Sequence, residues 1–354
     1  MIEEGTGNLL TADVDALVNT VNTVGVMGKG IALQFKRAYP ANYKAYRAAC
    51  DRGQVRIGQM FVFDGATRGP RRYIVNFPTK RHWKNDSKLE DIRSGLDDLV
   101  RVVNGSDISS IAIPALGCGN GGLDWADVLP LIESAVERMP HVRAVVFAPV
   151  GAPAASTMPN ATPRPDLTAL RALLLMTIEQ YLERARLQEV REGASELEIQ
   201  KLAYFLQVFG APLRLNFVPG RYGPYADRLP HVLDALEGHY LTGLGDRSAR
   251  VAELAPINMV TAAQDEVSAL LDADPANFDR LQTLLEVVEG FETPYSMELL
   301  ATVHFAAHRS PATADPVDLS QRVVEWSMRK ARLFTEDHIR IAARRLADHG
   351  LLPV

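Results

Sequence analysis

A proline-rich segment separates two halves of this 354-residue chain that differ in hydrophobic periodicity. Residues 151–165 read GAPAASTMPNATPRP, with four prolines among small residues. Such a composition is typical of a semi-extended linker. Short β-rich runs alternate with helical patterns before this segment, whereas long segments of 3.6-residue periodicity follow it. We therefore expect one domain over residues 1–150, a linker over 151–165 and a second domain over 166–354.

The strand-like runs of the first half are almost wholly apolar. They span residues 16–20, 59–63, 72–77, 110–114 and 143–149, and helical patterns lie at residues 30–39, 41–52, 89–103 and 125–139. Strands that are apolar on both sides belong to a sheet covered by helices on both faces. The pattern predicts an α/β, three-layer domain with a mixed, largely parallel sheet.

The second half has a different pattern, in which apolar residues recur at helical spacing. Its candidate helices span residues 167–192, 196–209, 229–241, 265–272, 279–291, 297–308, 320–330 and 336–349. Ser195 and Glu198 form a capping-box sequence at the start of the second of these segments. The second domain is therefore predicted to be mainly α-helical.

Charge and cysteine content narrow the class of protein. The net charge is +3 over residues 1–165, from 19 basic and 16 acidic side chains, and -8 over the remainder, from 19 and 27. Residues 227–298 contain 14 acidic and 4 basic side chains, a net charge of -10. Only two cysteines are present, Cys50 and Cys118, without a CxxC motif. We therefore expect a cytoplasmic protein with no disulfide framework, no metal site and no membrane segment.

Two glycine-rich loops dominate the first half. Residues 19–32 read NTVNTVGVMGKGIA, and residues 114–123 read PALGCGNGGL, each between a predicted strand and a predicted helix. Such a turn exposes unpaired backbone N–H groups and the positive end of the helix dipole, which suits an anion. Neither loop has the glycine spacing of a Rossmann dehydrogenase or of a P-loop NTPase. Either loop alone is compatible with a purely structural turn, but two at one sheet edge predict a bound nucleotide diphosphate.

Three segments resemble the macrodomain family of ADP-ribose-binding modules. They are GNLLTADVDALVNTVNTVGVMGKGIALQFK at residues 7–36, NFPTKRHWK at residues 76–84 and IAIPALGCGNGGLDW at residues 111–125. Within that family, the chain is similar to the DarG antitoxins, which remove ADP-ribose that a DarT toxin attaches to thymidine bases in DNA. The resemblance implies a DNA ADP-ribosyl glycohydrolase that binds ADP-ribose and ADP-ribosylated DNA and uses no cofactor.

The resemblance also assigns residues to the site. It implies that Asn22 lies near the distal ribose and takes part in catalysis, although its amide could simply hold the turn. The residues expected to bind ADP-ribose are Asn8, Leu9, Gly25, Met27, Gly28, Lys29, Gly30, Ile31, Pro114, Leu116, Gly117, Cys118, Gly119, Asn120, Gly121, Gly122 and Leu123.

Lys80 resembles the catalytic lysine of the glycohydrolase branch of the family. It follows the strand 72–77, at the edge where α/β sheets bind ligands. An ammonium there could protonate the departing base, and a neutral amine could instead attack the ribose carbon. The neighbouring Arg81, Lys84 and Lys88 leave open a basic face for DNA phosphates, and Trp83 could stack on a base.

The chain departs from the family pattern at two positions. Asn8 occupies the place of the aspartate that recognises the adenine amine, and an amide oxygen accepts such a hydrogen bond more weakly than a carboxylate. Lysine-dependent relatives carry an aspartate in the second glycine loop, where this chain reads Asn120-Gly121-Gly122 and the nearest acid is Asp124. The sequence therefore leaves the acidic partner of Lys80 unidentified.

The resemblance implies that the second domain binds and inhibits a cognate DarT-like toxin. Its acidic stretch could occupy the basic DNA groove of that toxin as a nucleic-acid mimic, or it could simply aid solubility. Two other functions remain open at this point. One is a non-catalytic ADP-ribose reader with a DNA-binding tail through Arg340, Arg344 and Arg345, and the other is a hydrolase of ADP-ribosylated protein.

Overall fold

The computed structural model describes residues 1–68, 71–188, 191–248, 256–309 and 316–352. The chain folds into two compact units. The first comprises Met1–Pro163 with Gly245–Glu253, and the second comprises Arg164–Leu244 with Leu254–Val354. Residues 249–255, which lie within the acidic stretch 227–298, and the last two residues of the second half are outside the described part of the chain.

The first unit is built on a six-stranded mixed sheet. The strands follow the spatial order β1-β6-β5-β2-β4-β3, and every neighbouring pair is parallel except β3 and β4. The strands are β1 (Ile2–Gly5), β2 (Ala16–Asn22), β3 (Phe61–Arg68), β4 (Arg71–Lys80), β5 (Ser110–Ile113) and β6 (Arg143–Phe147). The predicted mixed, largely parallel sheet is confirmed.

Helices cover both faces of this sheet. They are α1 (Gly30–Ala38), α2 (Pro40–Asp51), α3 (Leu89–Asn104) and α4 (Trp125–Glu137). Along β2, Ala16 and Val18 pack with apolar residues of α3 and α4, whereas Leu17 packs on the opposite face with Phe35 of α1. Because both faces are buried, the strands lack the polar alternation of a half-exposed sheet.

The second unit is mainly α-helical, as predicted. Its helices are α5 (Ala169–Gln188), α6 (Glu196–Val208), α7 (Leu229–Leu236), α8 (Gln264–Asp272), α9 (Pro275–Val288), α10 (Pro294–His308), α11 (Pro316–Trp326), α12 (Met328–Leu333) and α13 (Glu336–Asp348). Two short antiparallel pairs accompany them, β7 (Val218–Gly220) with β8 (Gly223–Tyr225) and β9 (Leu241–Thr242) with β10 (Asn258–Met259). One continuous apolar core runs through the unit.

Several predicted elements differ from those in the structure, including the predicted helix 279–291, which spans Pro275–Val288. The predicted helix 320–330 is two helices, because Ser327 caps the second with its side chain, which accepts from the Lys330 N–H. The predicted helix 229–241 ends at Leu236, and Leu241 pairs in β9 instead. The predicted strand 59–63 is shifted to Phe61–Arg68. Within the described ranges, no helix combines the length and the apolar character that crossing a bilayer requires.

Candidate functional site

Sheet register brings the predicted site residues to one edge. β2 lies between β4 and β5, and all three run in the same direction. Asn22 and Lys80 are register partners at the carboxyl ends of β2 and β4. The second glycine loop begins where the adjacent β5 ends. This edge is where open α/β sheets bind their ligands.

The two glycine loops approach each other closely. Gly30 has a φ of +60°, and a Cβ placed on it would lie 2.9 Å from Nδ2 of Asn120 in the second loop. The ammonium of Lys80 donates a hydrogen bond to the carbonyl oxygen of the same Asn120 over 2.6 Å. The first loop, the second loop and Lys80 therefore meet around Asn120.

The Asn22 side chain holds the first loop in shape. Its Oδ1 accepts from the backbone N–H groups of Val24 and Val26, at 3.1 and 3.2 Å, and its Nδ2 donates to the Val26 carbonyl at 2.6 Å. The hydroxyl of Tyr46 donates to the Asn22 carbonyl at 2.6 Å. Asn22 is buried, so these contacts fix both loop and side chain at the end of β2.

A distant segment of the chain contacts the start of α1. The Gly30 N–H donates to the carbonyl oxygen of Asp246 over 2.7 Å, and Nε2 of Gln34, one turn later, donates to the Asp246 carboxylate over 2.8 Å. The Asp246 carboxylate also accepts from the Ser248 N–H. The Gly30 amide is therefore already engaged, and an anion at this helix start would use the following N–H groups, beginning with Ile31, which have no intrahelical acceptor.

The second glycine loop is folded by its own backbone and by Ser87. Gly117 and Gly122 have φ values of +75°, a conformation that favours glycine. The Leu123 N–H donates to the Gly117 carbonyl, and the Ser87 N–H donates to the Gly121 carbonyl over 2.9 Å. The loop then enters α4, whose first turn is capped by the Asp124 carboxylate. Because the glycines have no side chains, this arrangement lets a ligand at the sheet edge come close to the loop backbone.

Burial and a nearby carboxylate act in opposite directions on Lys80. Partial burial lowers the pKa of its ammonium, and the charge of Asp86 opposes that shift. A lysine with a lowered pKa can supply either a proton or a nucleophilic amine closer to neutral pH. The environment of Lys80 thus suits a reactive lysine.

Several predicted ligand residues point their side chains into the core. Leu9, Met27 and Leu116 are buried among apolar residues, so they can present only backbone atoms to a ligand. Oδ1 of Asn8 accepts from the Leu10 N–H and starts a short 3-10 turn. Burial raises the pKa of the Cys118 thiol to about 11, which makes it a poor nucleophile at neutral pH.

A basic and aromatic rim follows Lys80. Arg81 pairs with Asp91 of α3 at 2.9 Å. The His82 and Trp83 rings stack at 5.4 Å, and the Lys84 ammonium lies 5.0 Å from the Trp83 ring centre. Trp83 is 49 % exposed. Exposed aromatic rings beside cations are typical of surfaces that contact single-stranded nucleic acid.

The sequence analysis missed a buried amide network beneath the first loop. Nδ2 of Asn19 donates to Oδ1 of Asn76 at 3.0 Å, and Nδ2 of Asn76 donates to Oδ1 of Asn42 at 2.7 Å. All three residues are fully buried. Asparagines inside the apolar runs ALVNT and YIVNF were the available signal, because a buried amide requires partners.

The acidic stretch 227–298, which includes Asp246 of the first unit, is only partly a surface feature. Glu237, Asp246, Glu292 and Glu298 are buried, and Glu298 binds the Lys330 ammonium at 2.8 Å. Within the described residues of the stretch, one exposed acid, Asp227, precedes α7, and the other six lie on α8, on α9 or directly after α9: Asp265, Glu266, Asp272, Asp279, Glu286 and Glu289. The charge that can meet a partner therefore lies mainly on α8 and α9.

The described part of the chain contains no cluster of three or more His, Cys, Asp or Glu side chains that could hold a metal ion. Cys50 and Cys118 are both free thiols.

Comparison of the chain with known proteins identifies a family that includes the segments forming this site. Residues 18–132 match the Macro domain family model. The chain is 47 % identical to a DNA ADP-ribosyl glycohydrolase of Mycobacterium tuberculosis, over 98 % of this chain and 99 % of that protein. It is 46 % identical to a DNA ADP-ribosyl glycohydrolase of Thermus aquaticus, over 98 % and 93 %.

A third relative combines two activities in its name. It is a DNA ADP-ribosyl transferase-DNA ADP-ribosyl glycohydrolase fusion protein of Thermosipho africanus, 37 % identical over 36 % of each chain. Matches of 46 and 47 % identity over nearly the whole chain decide its classification. The chain carries a macro domain and belongs to the DNA ADP-ribosyl glycohydrolase family.

Proposed function

We propose that the first unit hydrolyses the N-glycosidic bond between ADP-ribose and a thymidine base in DNA. One observation carries the proposal: the Lys80 ammonium donates to the Asn120 carbonyl at the point where the two glycine loops meet. The names of the relatives from Mycobacterium tuberculosis and Thermus aquaticus support DNA as the carrier of the ADP-ribose.

The glycine loops hold the diphosphate of ADP-ribose in this proposal. The N–H groups from Ile31 onward and the backbone of residues 117–122 supply donors around the two phosphates. Asn8 marks the adenine end, at the loop that follows β1, and Asn22 marks the distal ribose end, beside Lys80. The buried side chains of Leu9, Met27 and Leu116 pack in the core and hold the backbone of this proposed ADP-ribose site in place.

Lys80 acts on the bond between the distal ribose and the base. As an ammonium it donates a proton to the departing base while the bond to the ribose carbon breaks, and water adds to that carbon. As a neutral amine it attacks that carbon and displaces the base, which takes up a proton; water then hydrolyses the bond between Lys80 and the ribose, which releases ADP-ribose and restores the amine. The rim of Arg81, His82, Trp83 and Lys84 contacts the DNA strand next to the modified base.

The test uses a DNA oligonucleotide that carries one ADP-ribosylated thymidine. We expect the full-length protein to release ADP-ribose, detected by mass, and Lys80→Ala to lose at least about a hundredfold in rate, the usual scale of a general-acid contribution. Lys44→Ala, on an exposed position of α2, is the matched control. Equal rates for wild type and Lys80→Ala would contradict the assigned role of Lys80.

A parallel incubation with an ADP-ribosylated protein separates the two substrate classes. Release from DNA but not from protein supports the proposal. Release from protein alone would favour the protein hydrolase. Binding of ADP-ribose without release from either substrate would favour a non-catalytic reader.

The free thiols of Cys50 and Cys118 and the DNA substrate support a cytoplasmic location.

We also propose that the second unit binds and inhibits a DarT-like toxin. The fused transferase and glycohydrolase of Thermosipho africanus supports a functional link between the two activities. Asp265 and Asp272 on α8 and Asp279 and Glu286 on α9 provide exposed carboxylates on two neighbouring helices. A transferase that grips DNA presents a basic groove, which such a surface would complement.

Neutralising those four side chains tests the proposed surface. We expect Asp265→Asn, Asp272→Asn, Asp279→Asn and Glu286→Gln together to weaken toxin binding by at least about tenfold at low salt, and less at high salt, because charge attraction is screened. The control makes the same charge change in the first unit, with Asp51→Asn, Asp97→Asn, Glu133→Gln and Glu137→Gln. Unchanged, salt-independent binding by the α8–α9 variant would eliminate this surface.

The contacts of α13 give less support to the alternative that this helix is a DNA-binding tail than the exposed carboxylates give to toxin binding. Arg340 pairs with Asp337 at 2.7 Å and with Glu336 at 3.4 Å. Both amino groups of Arg345 donate to backbone carbonyls at the end of α9. Two of the three arginines proposed to face DNA are thus engaged within the second unit.

A further inference from the structure

We infer that Asp86 is the acidic positioning partner of Lys80, supplied by the β4–α3 loop in place of the aspartate that the second glycine loop lacks. Its catalytic meaning rests on the proposed glycohydrolase function. The inference itself concerns the arrangement and titration of Lys80, which can be measured without that function.

The β4–α3 loop is fixed against the second glycine loop. The Ser87 N–H donates to the Gly121 carbonyl over 2.9 Å, and Ser87 is only 6 % exposed. A Cβ placed on Gly121 would lie 2.4 Å from Oγ of Ser87, and one placed on Gly117 would lie 3.1 Å from its Cβ. Packing this tight holds Ser87, and with it the preceding residue, at a defined place beside the glycines.

Asp86 and Lys80 approach opposite ends of the same tripeptide, Asn120-Gly121-Gly122. The Lys80 ammonium donates to the carbonyl of Asn120, and Oδ1 of Asp86 lies 3.9 Å from the position of a Cβ on Gly122. Among the described residues, the Asp86 carboxylate forms no hydrogen bond or ion pair, so it can act on Lys80 and on a ligand.

The other charged groups at this edge have different partners or positions. Arg81 pairs with Asp91 of α3, and Lys29 is exposed at the start of α1. Asp124 caps α4, and its charge acts on Cys118. His82 stacks on Trp83 and accepts from the Lys84 N–H. Asp86 is therefore the carboxylate that acts on Lys80 here.

The Asp86 carboxylate affects the fraction of molecules in which Lys80 is protonated at a given pH. A negative charge stabilises the ammonium, while burial destabilises it. Removing the Asp86 charge leaves burial unopposed, so the ammonium deprotonates at lower pH. This holds whether Lys80 works as an acid or as a nucleophile.

Amine reactivity of Lys80 in the full-length protein provides the first measurement. Trace labelling with acetic anhydride at a series of pH values, read by peptide mass spectrometry, gives the pH of half-maximal reactivity. We expect Asp86→Asn to move this midpoint to lower pH and Asp86→Glu, which restores a carboxylate, to move it back. Asp124→Asn loses the same charge and retains a good helix cap, so its midpoint should stay with wild type. A midpoint unchanged in Asp86→Asn overturns the inference.

The pH dependence of ADP-ribose release provides the second measurement. The limb of the profile that reports Lys80 should move to lower pH in Asp86→Asn, on the alkaline side if the ammonium is active and on the acidic side if the amine attacks. A fixed limb would count against Asp86. Absence of any release by wild type would remove the proposed function, while the labelling midpoint would still decide the inference.

Discussion

Gly121 is the position where the second glycine loop tolerates least additional volume. A Cβ there would lie 2.4 Å from both the Gly117 carbonyl oxygen and Oγ of Ser87, whereas a Cβ on Gly119 meets nothing within 4 Å. Because both glycines belong to one loop, comparing alanine at Gly121 with alanine at Gly119 separates the effect of tight packing from the effect of losing a glycine. Overpacking of this kind costs roughly 1–3 kcal/mol.

We expect Gly121→Ala to weaken ADP-ribose binding by about tenfold or more, because in the proposed complex the displaced loop no longer presents its backbone to the diphosphate. Gly119→Ala should have a clearly smaller effect. Isothermal titration with ADP-ribose measures both, and thermal melting checks that both variants fold. If the two variants lost the same affinity, tight packing at Gly121 would not be the reason.

The positions of residues within a local sequence pattern could be predicted, whereas contacts between residues far apart in the sequence could not. The glycine loops and Lys80 lie at the carboxyl ends of strands that the apolar pattern predicts, so their place at the sheet edge follows from local sequence. Asp246 contacts Gly30 from more than 200 positions away, and no local pattern encodes such a pairing. The role of Asp86 depends likewise on how its loop packs against the glycines.

Elements were predictable where their periodicity was long enough to be distinctive. The four helices of the first unit and five of its strands were anticipated, because buried strands and amphipathic helices differ in period. β1 was missed: its four residues include Glu3 and Glu4, and it lies at the edge of the sheet. The β7–β8 pair was missed because each strand has three residues and Pro219 and Gly220 resemble a loop.

At the scale of the whole molecule, the two units bury different kinds of polar group. The described part of the first unit buries mainly neutral side chains such as Asn19, Asn42 and Asn76, with Arg37 and Asp246 as its buried charges. The second unit buries Glu198, Lys201, Glu298 and Lys330. Sequence alone could count these charges but could not separate buried from exposed ones. The stability of the second unit should therefore respond more strongly to pH.

Lys201 offers the sharpest test of that expectation. It is 1 % exposed and donates to the Pro224 carbonyl at 2.8 Å. Burial lowers the pKa of its ammonium to about 7, which Glu298 opposes and Lys330 reinforces. Above pH 7 the folded state releases a proton that the unfolded state still holds, so stability rises with pH.

Between pH 6 and 8 this lysine should add about 1 kcal/mol to the stability of the second unit, since one pKa unit corresponds to about 1.4 kcal/mol. Lys201→Met keeps the length of the side chain and removes the titrating group. We expect the melting temperature of the wild type to rise more than that of Lys201→Met over this range, in circular dichroism melts of the full chain. The lost bond to Pro224 lowers the stability of the variant similarly at both pH values, so only the difference in slope is diagnostic. Parallel slopes would show that Lys201 does not titrate in this range.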